Sequence, residues 1–273
     1  MDREAVPAPQ AAPGRLRADR DCTGLWHDPA MRPNVLPLLL AMFLSTVPAA
    51  TAAANERVLV FTSTAKFRHD SIPTAVSTLR LLAERERMAV DQSENAADFN
   101  DANLARYRVV VFANTTGDVL DATQQQAMET FIRAGGGFMG VHSAADTEYD
   151  WPWYGQLVGA YFKNHPEGLQ FSRVQPEREG KPQGTSWPVR DELYNYRSNP
   201  RGAVQVTATV DERMYQGGTM GADHPIAWCH RFDGGRSWYT GLGHDAALYR
   251  NRDFLAHLRQ GLLYAAGRSP ACG

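Results

Sequence analysis

Short apolar runs alternate with amphipathic stretches in the part of the chain that follows residue 55. The runs RVLVFT (57–62) and RVVVFA (108–113) are continuous, which is typical of strands buried on both faces. Between them, apolar residues recur at helical spacing from Ile72 to Ala83, and Ser71 stands where a helix cap is expected. The pattern therefore predicts a strand, a covering helix and a second buried strand.

The same alternation continues to the middle of the chain. Residues 88–91 predict a short strand, 122–134 a helix that ends at three glycines, and 138–142 a further buried strand. Strands that alternate with helices in this way form parallel sheets with right-handed crossovers. We therefore predict an α/β fold with a doubly wound, mainly parallel sheet.

The second half of the chain changes to antiparallel patterns. Residues 169–174 and 204–211 alternate between apolar and polar positions, as strands with one wetter face do. The polar stretch 176–188, which contains Pro and Gly, predicts a loop. The remaining elements are strands 226–232 and 236–241, joined as a hairpin through 233–235, and a closing helix at 253–266. We expect antiparallel additions to the same sheet, with no internal repeat and no second domain.

The amino-terminal segment has the pattern of a targeting signal. Met31-Arg32 is followed by the apolar run 35–47 and by small residues at 48–54, which predicts a secretory signal peptide over 31–54. Residues 1–30 have two explanations, a start codon assigned upstream of Met31 or a disordered leader. We expect an exported protein, periplasmic or extracellular, without a membrane anchor after cleavage and with one domain over 55–268.

Net charge and cysteine content limit the classes of ligand and the kinds of cross-link that we expect in this protein. The net charge is -2 with interspersed signs, and no basic stripe favours nucleic acid or anionic lipid. Cys229 lies inside a predicted strand and Cys272 in the tail, so we expect free thiols. No dense cysteine spacing indicates a structural zinc site.

Histidines stand at several predicted strand ends. His142 ends the strand 138–142, His69 lies in the loop after the first strand, and His244 follows the glycines of the GLGH run. Ligands bind outside the carboxyl ends of strands in open α/β sheets, so these imidazoles are expected in one polar crevice. The alternative for each is a histidine that is merely hydrogen-bonded in the structure or solvated.

Several ordered motifs resemble the ThuA-like (trehalose-utilisation) family, whose fold is similar to that of class I glutamine amidotransferases. The resemblance covers nearly the whole of the chain after the signal. The motifs are FRHDS (67–71), GGGFMGVHSA (135–144), NHP (164–166), DELYNYRSNP (191–200), DHPIAW (223–228) and GGRSWYTGLGH (234–244). The resemblance implies a flavodoxin-like three-layer sandwich and a role in carbohydrate metabolism, on keto-glycosides or trehalose-type sugars.

The amidotransferase relatives need a cysteine on the tight turn after a strand, because a thiolate attacks the amide. The comparable strand here ends Gly140-Val141-His142-Ser143-Ala144, with no thiol. Ser143 also lacks the flanking glycines of a G-x-S-x-G nucleophile turn. We therefore expect neither a glutamine amidotransferase nor a serine hydrolase of that kind.

The candidate site residues fall into two groups. As catalytic groups we select His69, His142, His244 and Glu192. As substrate-binding groups we select His165, Tyr196, Arg197, Trp151, Asp223 and His224. Structural roles stay open for them: Asp223 in its turn and Trp151 in the core are as compatible with the sequence as sugar contacts. His230 and His257 are expected to be structural or solvent-facing.

Two chemistries fit this set. Neutral imidazoles with a carboxylate suit zinc or a similar divalent ion, although no H-x-x-x-H or H-E-x-x-H spacing is present. Without a metal, the same histidines could act as acid and base on the acidic hydrogen beside a keto-sugar carbonyl. A non-catalytic carbohydrate-binding module of the same fold is the alternative to an enzyme. The expected partner is a small-molecule carbohydrate, and a homo-oligomer is compatible with the sequence.

Overall fold

The apolar runs of the first half form a buried parallel sheet. The computed structural model describes residues 56–272, and the predicted signal peptide lies outside them. Successive strand residues point to opposite faces, so Val58 and Val60 enter one core while Leu59 and Phe61 enter the other. The elements of this half are β1 (Arg57–Phe61), α1 (Ile72–Arg85), β2 (Ala89–Ser93), α2 (Asp101–Leu104), β3 (Val109–Ala113), α3 (Ala122–Arg133) and β4 (Gly137–Val141).

The second half adds a short helix, antiparallel strands and the closing helix. Its elements are α4 (Pro152–Val158), β5 (Phe162–Asn164), β6 (Gln170–Arg178), β7 (Lys181–Pro182), β8 (Trp187–Asp191), β9 (Asn195–Tyr196), β10 (Gln205–Val210), β11 (Pro225–Phe232), β12 (Gly235–Thr240) and α5 (Arg252–Ala265). No helix of the described residues is both long and apolar enough to cross a bilayer.

One sheet of ten strands runs through the molecule in the order β2-β1-β3-β4-β12-β11-β10-β6-β7, with β8 paired to β6. The strands from β2 to β12 are parallel, and those from β12 onwards are antiparallel. The strand β12 joins the two halves, because it is parallel to β4 and antiparallel to β11. Strands β5 and β9 form a separate pair. The predicted α/β class with antiparallel additions is confirmed.

Helices cover both faces of this sheet, which makes three layers. Helices α1 and α5 contribute Leu79 and Leu258 to one core, whereas α3 and α4 contribute Met128 and Leu157 to the other. The start of α3 is defined by a capping box, in which Asp121 accepts from the Thr123 and Gln124 amides. This arrangement is consistent with a flavodoxin-like sandwich.

Two local predictions are corrected by the structure. The stretch 176–188 is only partly a loop: β6 continues to Arg178, β7 (Lys181–Pro182) pairs with it, and β8 begins at Trp187, with alternate residues packed into the core. Ser71 occupies the N-cap position of α1, but its hydroxyl donates to the Gly243 carbonyl instead of capping the helix. Helix α4 and the β5–β9 pair were not predicted.

The prediction of free thiols is wrong. Cys229 on β11 and Cys272 in the tail form a disulfide, with their Cα atoms 6.0 Å apart. The tail reaches the strand because α5 packs against β12, the neighbour of β11, and the chain turns at Gly267 with φ of 72°. Both cysteines are buried.

Candidate functional site

Four candidate side chains meet at the carboxyl edge of the sheet. His69 follows β1, His142 follows β4, Glu192 follows β8 and His244 follows β12. One potential ligand atom from each lies within 4.8 Å of the others. The ring centroids of the three histidines are 4.8, 5.1 and 5.3 Å apart. We call these four residues the histidine–glutamate cluster.

His142 enters the cluster through an unusual backbone conformation. It has φ of 51°, and the segment after it turns at once into a 3-10 helix. A non-glycine residue in this region costs on the order of 1–3 kcal/mol and is often found at functional sites. The turn leaves the imidazole fully buried at the end of β4. His142 therefore lies on the tight turn after a strand, at which a glutamine amidotransferase would need a cysteine.

Hydrogen bonding determines the tautomer of His142. Its Nδ1 lies 2.8 Å from the Gly241 carbonyl oxygen, which can only accept, so Nδ1 carries the proton. In the neutral ring Nε2 then presents its lone pair; this atom lies 3.4 Å from Glu192 Oε2 and has no hydrogen-bond partner among the described residues. The Tyr194 ring packs against the imidazole with its centroid 4.3 Å away. This arrangement resembles that of a metal-binding histidine, whose second nitrogen is oriented by a backbone carbonyl.

His69 is held in its neutral form. Burial, followed by repulsion from His142 and His244, lowers the pKa of His69 to about 3. Its Nδ1 is 3.3 Å from the Ser143 hydroxyl. A neutral imidazole is available as a ligand or as a proton acceptor.

Glu192 contacts three histidines with its two oxygens. Oε2 is 3.2 Å from His244 Nδ1, and Oε1 is 3.2 Å from His165 Nδ1. Burial disfavours ionisation of Glu192, but the close approach of the His142 and His244 rings outweighs it and holds the pKa of the carboxyl below its usual range. The nearby Glu192 carboxylate raises the pKa of His244, against the effect of burial.

Buried polar groups hold the loop that carries His244 in place through hydrogen bonds to its backbone. Asp191 is fully buried and accepts hydrogen bonds from the Gly243 amide at 2.6 Å and the Asp245 amide at 2.8 Å. The Gly243 carbonyl accepts from Ser71, Asn114 and Tyr249. Gly243 has φ of 125°, and a β-carbon there would lie 2.8 Å from the Tyr249 hydroxyl, so only glycine fits.

Solvent reaches the cluster from one side. The side chain of His244 is 28% exposed and that of His165 is 37% exposed, whereas His142 is fully buried. The Phe67 ring, largely exposed, lies edge-on to His69 with centroids 4.9 Å apart. The buried groups therefore have an open mouth next to an aromatic side chain.

The structure brings some predicted substrate-binding residues to this mouth. His165 contacts Glu192 directly but lies outside the four-residue cluster. Arg197 is exposed, and its guanidinium lies 4.1 Å from the centroid of Tyr149, whose hydroxyl donates to Asp146 at 2.6 Å. The Tyr149 hydroxyl also lies 3.2 Å from the Phe162 carbonyl oxygen, and the Phe162 ring lies 6.0 Å from that of His165, so Tyr149 and Arg197 lie near the rim.

Four predicted residues lie elsewhere, and these placements correct the sequence interpretation. Trp151 is buried, stacks on Trp153 and Tyr154, and donates to Glu129. Tyr196 is buried against Trp228 and Tyr239. Neither ring offers a face to a sugar, because core packing already uses both.

His224 and Asp223 are also occupied by the protein itself. His224 is fully buried, with Nδ1 next to Tyr215 and Glu212 and Nε2 donating to the Tyr194 carbonyl. Asp223 accepts from Arg201 at 2.6 Å and from Asn199 at 3.0 Å. Their partners therefore belong to the chain around Tyr194 and Arg201, and neither residue contacts the histidine–glutamate cluster directly.

Sequence reasoning missed the residues that support the cluster. Asp191 immediately precedes Glu192 in the DELYNYRSNP motif, and Asn114 directly follows the buried run of β3. The strand-end argument that selected His142 applies equally to Asn114, so this residue could have been found. The role of Asp191 depends on a contact 52 residues away, at Gly243, for which the sequence has no local signal.

Comparisons with known proteins agree with this architecture. A family model described as ThuA, trehalose utilisation, matches residues 57–265. A putative ThuA-like protein from Bacteroides uniformis has a TM-score of 0.66 and 20% identity, covering 80% of this chain and 94% of its own. A second one, from Parabacteroides merdae, has a TM-score of 0.65 and 18% identity, covering 78% and 91%.

A more distant likeness extends to part of a larger enzyme. A GH42 β-galactosidase from G. stearothermophilus has a TM-score of 0.50 and 16% identity, over 76% of this chain and 30% of its own. At these identities the solved structures show a shared fold alone. No curated protein matches the chain.

Proposed function

The chain belongs to the ThuA (trehalose utilisation) family, and from this premise we propose that it is an enzyme acting on keto-glycosides or trehalose-type sugars at the histidine–glutamate cluster. The observation that carries the proposal is the convergence of three imidazoles and one carboxylate from four separate strand ends. A binding module needs aromatic and amide groups but no such set of titratable side chains. Clusters of groups with shifted pKa values in a cleft are typical of catalytic sites.

The cluster fits a divalent metal ion. Three nitrogens and one oxygen are a donor set that zinc and similar borderline ions accept. His142 Nε2 and His244 Nδ1 are buried and lack well-directed hydrogen bonds, as expected of atoms that bind an ion. A divalent ion bound here would polarise the carbonyl oxygen of a keto sugar as a Lewis acid.

His165 is the group we assign to proton transfer. It is partly exposed at the mouth, and its Nδ1 lies between Glu192 Oε1 at 3.2 Å and the Pro166 carbonyl at 2.7 Å. Both neighbours accept, so they orient the ring with Nδ1 protonated and leave Nε2 as the base. The fixed orientation is what general acid–base catalysis requires.

The proposed reaction begins at the carbon beside the keto group. His165 Nε2 takes the acidic proton from this carbon, and the released electron pair forms a carbon–carbon double bond. The bond to the glycosidic oxygen on the next carbon breaks, and the protonated His165 gives its Nε2 proton to this oxygen as it leaves, which restores the base. Phe67 packs beside the sugar ring, and Arg197 lies on the rim where it can orient hydroxyl groups.

The disulfide supports the proposal that the protein is exported to the periplasm or the medium. Disulfides between buried cysteines persist in oxidising compartments and are rare in the cytosol. Cys229 and Cys272 form such a bridge.

The test combines metal analysis with turnover of 3-keto-glycosides before and after chelation. We expect about one metal ion per chain, turnover that is lost on chelation, and loss of both in His142→Ala and Glu192→Gln. We expect His165→Ala to retain the metal but to lose about 100-fold or more in kcat. His257→Gln, outside the cluster, is the control and should keep both properties.

Two outcomes would change the proposal. Turnover that survives chelation but disappears in His142→Ala would exclude the metal and leave acid–base catalysis by histidine alone. Saturable sugar binding with no turnover at any pH would instead identify a carbohydrate-binding module.

A further inference from the structure

A cavity at the opposite edge of the sheet is lined by arginines. It has a volume of about 390 Å³, and its wall includes Arg231, Arg236, His230 and Tyr264. Arg231 is the last residue but one of the hairpin strand β11, and Arg236 is the second residue of β12. The histidine–glutamate cluster lies beyond the other end of β12, so the two sites are roughly 20 Å apart at the usual rise per strand residue.

The two arginines face each other across the hairpin. Arg231 and Arg236 are direct partners in the antiparallel register of β11 and β12. Like charges in directly opposed positions destabilise a strand pair. Among residues 56–272, neither guanidinium makes a hydrogen bond or an ion pair with a carboxylate. Arg231 is exposed and Arg236 partly exposed, so water screens the repulsion in part but no carboxylate of the described residues neutralises it.

A third guanidinium adds to the positive charge. Arg108 and Arg236 both approach Gly267, and their nitrogens lie 2.7 and 2.9 Å from the position that a β-carbon on Gly267 would take. Arg108 itself donates to the Ala266 carbonyl. Burial and then the positive charges of Arg231 and Arg108 lower the pKa of Arg236.

Among the described residues, the cavity wall also carries neutral polar groups and no Asp or Glu side chain. Nδ1 of His230 is buried without a hydrogen-bond partner, and the ring is uncharged because burial lowers the pKa of His230 to about 4. The Tyr264 phenol interacts electrostatically with Arg231 and Arg236. The disulfide at Cys229 fastens the tail, whose Pro270 forms part of the wall.

From the opposed arginines and the cavity between them we infer a binding site for a small phosphate-bearing ligand. Guanidinium groups bind phosphoryl oxygens through paired, charge-assisted hydrogen bonds, and a dianion would neutralise Arg231 and Arg236 together. The cavity is larger than a phosphate ion, so it also has room for the carbon part of a small phosphorylated metabolite. This site shares no residue with the proposed catalytic centre.

The binding test uses chelator-treated protein, so that no metal at the other site binds the anion. Inorganic phosphate and glucose 6-phosphate are titrated calorimetrically against wild type, Arg231→Gln and Arg236→Gln, at constant ionic strength adjusted with chloride. Arg80→Gln is the matched control, because Arg80 is exposed on α1 and does not line the cavity. We expect saturable binding in wild type and in the control, and at least about tenfold weaker binding in both cavity variants. Tighter binding of glucose 6-phosphate than of phosphate identifies a phosphorylated metabolite, and the reverse identifies the free ion.

A second readout follows from the opposed charges. In phosphate-free buffer, Arg231→Gln should have a Tm equal to or above that of wild type, because the repulsion across the hairpin is relieved. Phosphate should raise the Tm of wild type and leave that of Arg231→Gln unchanged. Equal phosphate-dependent shifts in wild type and Arg231→Gln, absence of saturable binding, or preferential binding of an acidic peptide would each overturn the inference.

Discussion

At the scale of single residues, the geometry of the site depends on groups outside the histidine–glutamate cluster. His142 is oriented by the Gly241 carbonyl and by its own left-handed backbone, and His244 by a loop that Asp191 holds. Such supporting groups determine which nitrogen points into a site and how tightly it is held. The geometry of the candidate centre is therefore as sensitive to Asp191 as to the histidines.

Asp191→Asn tests this support. The amide keeps one acceptor oxygen but places an NH₂ group against the second amide donor, Gly243 or Asp245. We expect a loss of about 1–3 kcal/mol in the free energy of unfolding and a metal affinity weaker by about 10- to 100-fold. Urea unfolding and metal titration measure the two effects. The exposed Asp118→Asn is the control, and equal behaviour of the two variants would contradict a positioning role for Asp191.

At the scale of elements, the close approach of α5 to β4 constrains the central sheet. A β-carbon on Gly137, the first residue of β4, would lie 2.0 Å from the Ala265 carbonyl oxygen at the end of α5. Both contacting groups belong to regular elements, so neither can move without displacing its neighbours. The missing side chain at this position is thus a packing requirement.

Gly137→Ala should therefore be strongly destabilising. We expect a loss of about 2–3 kcal/mol or more in the free energy of unfolding, because backbone must shift to accommodate the methyl group. Gly202→Ala is the matched control: a β-carbon there meets nothing within 4 Å, so the change should stay within about 0.5 kcal/mol. Chemical denaturation compares the two, and a neutral Gly137→Ala would show that α5 does not press on β4.

The disulfide links two elements that the chain separates by 43 residues. In the loop-entropy model, a bridge of this separation stabilises the fold by up to about 4 kcal/mol. We expect Cys272→Ser to lower the Tm, and reductant to lower the Tm of wild type but not of the variant. A wild-type Tm that reductant leaves unchanged, under conditions in which thiol titration confirms reduction, would contradict this contribution.

At the scale of the whole molecule, partly buried histidines make stability depend on pH. Burial lowers the pKa of His257 on α5 to about 4, from 6.5. Below pH 6.5 the His257 imidazole is protonated in the unfolded chain but stays neutral in the folded chain. Its contribution to the free energy of unfolding is therefore present above pH 6.5 and is lost as the pH falls towards 4. His257 shares this behaviour with His230, whose pKa is likewise about 4.

His257→Gln should weaken the loss of stability in acid. Between pH 7 and pH 5 we expect wild type to lose more free energy of unfolding than the variant does, by at most about 2 kcal/mol. Glutamine can still hydrogen-bond to Thr240, the partner of His257 Nε2. Urea unfolding at the two pH values measures the difference, and parallel losses in both proteins would mean that His257 titrates normally in the fold.

The sequence by itself determined the class of fold, the family and the edge of the sheet at which polar groups gather. Continuous apolar runs and helical spacing are local signals, and they located β1, β3, β4, α1, α3 and α5 to within a few residues. The rule that strand ends face ligands selected His69, His142 and His244, which the structure brings together. The roles assigned to these residues in catalysis stay predictions.

Only the tertiary structure decided which polar residues share one cleft. His224 and Trp151 carry the same chemistry as cleft residues, yet Tyr215 and Tyr154 enclose them in the core. Cys229 and Cys272 meet because α5 returns the tail to β11. Contacts of this kind join residues that lie far apart in the chain. Hydrophobic periodicity and motif spacing are local patterns, so they do not determine which distant residues come into contact.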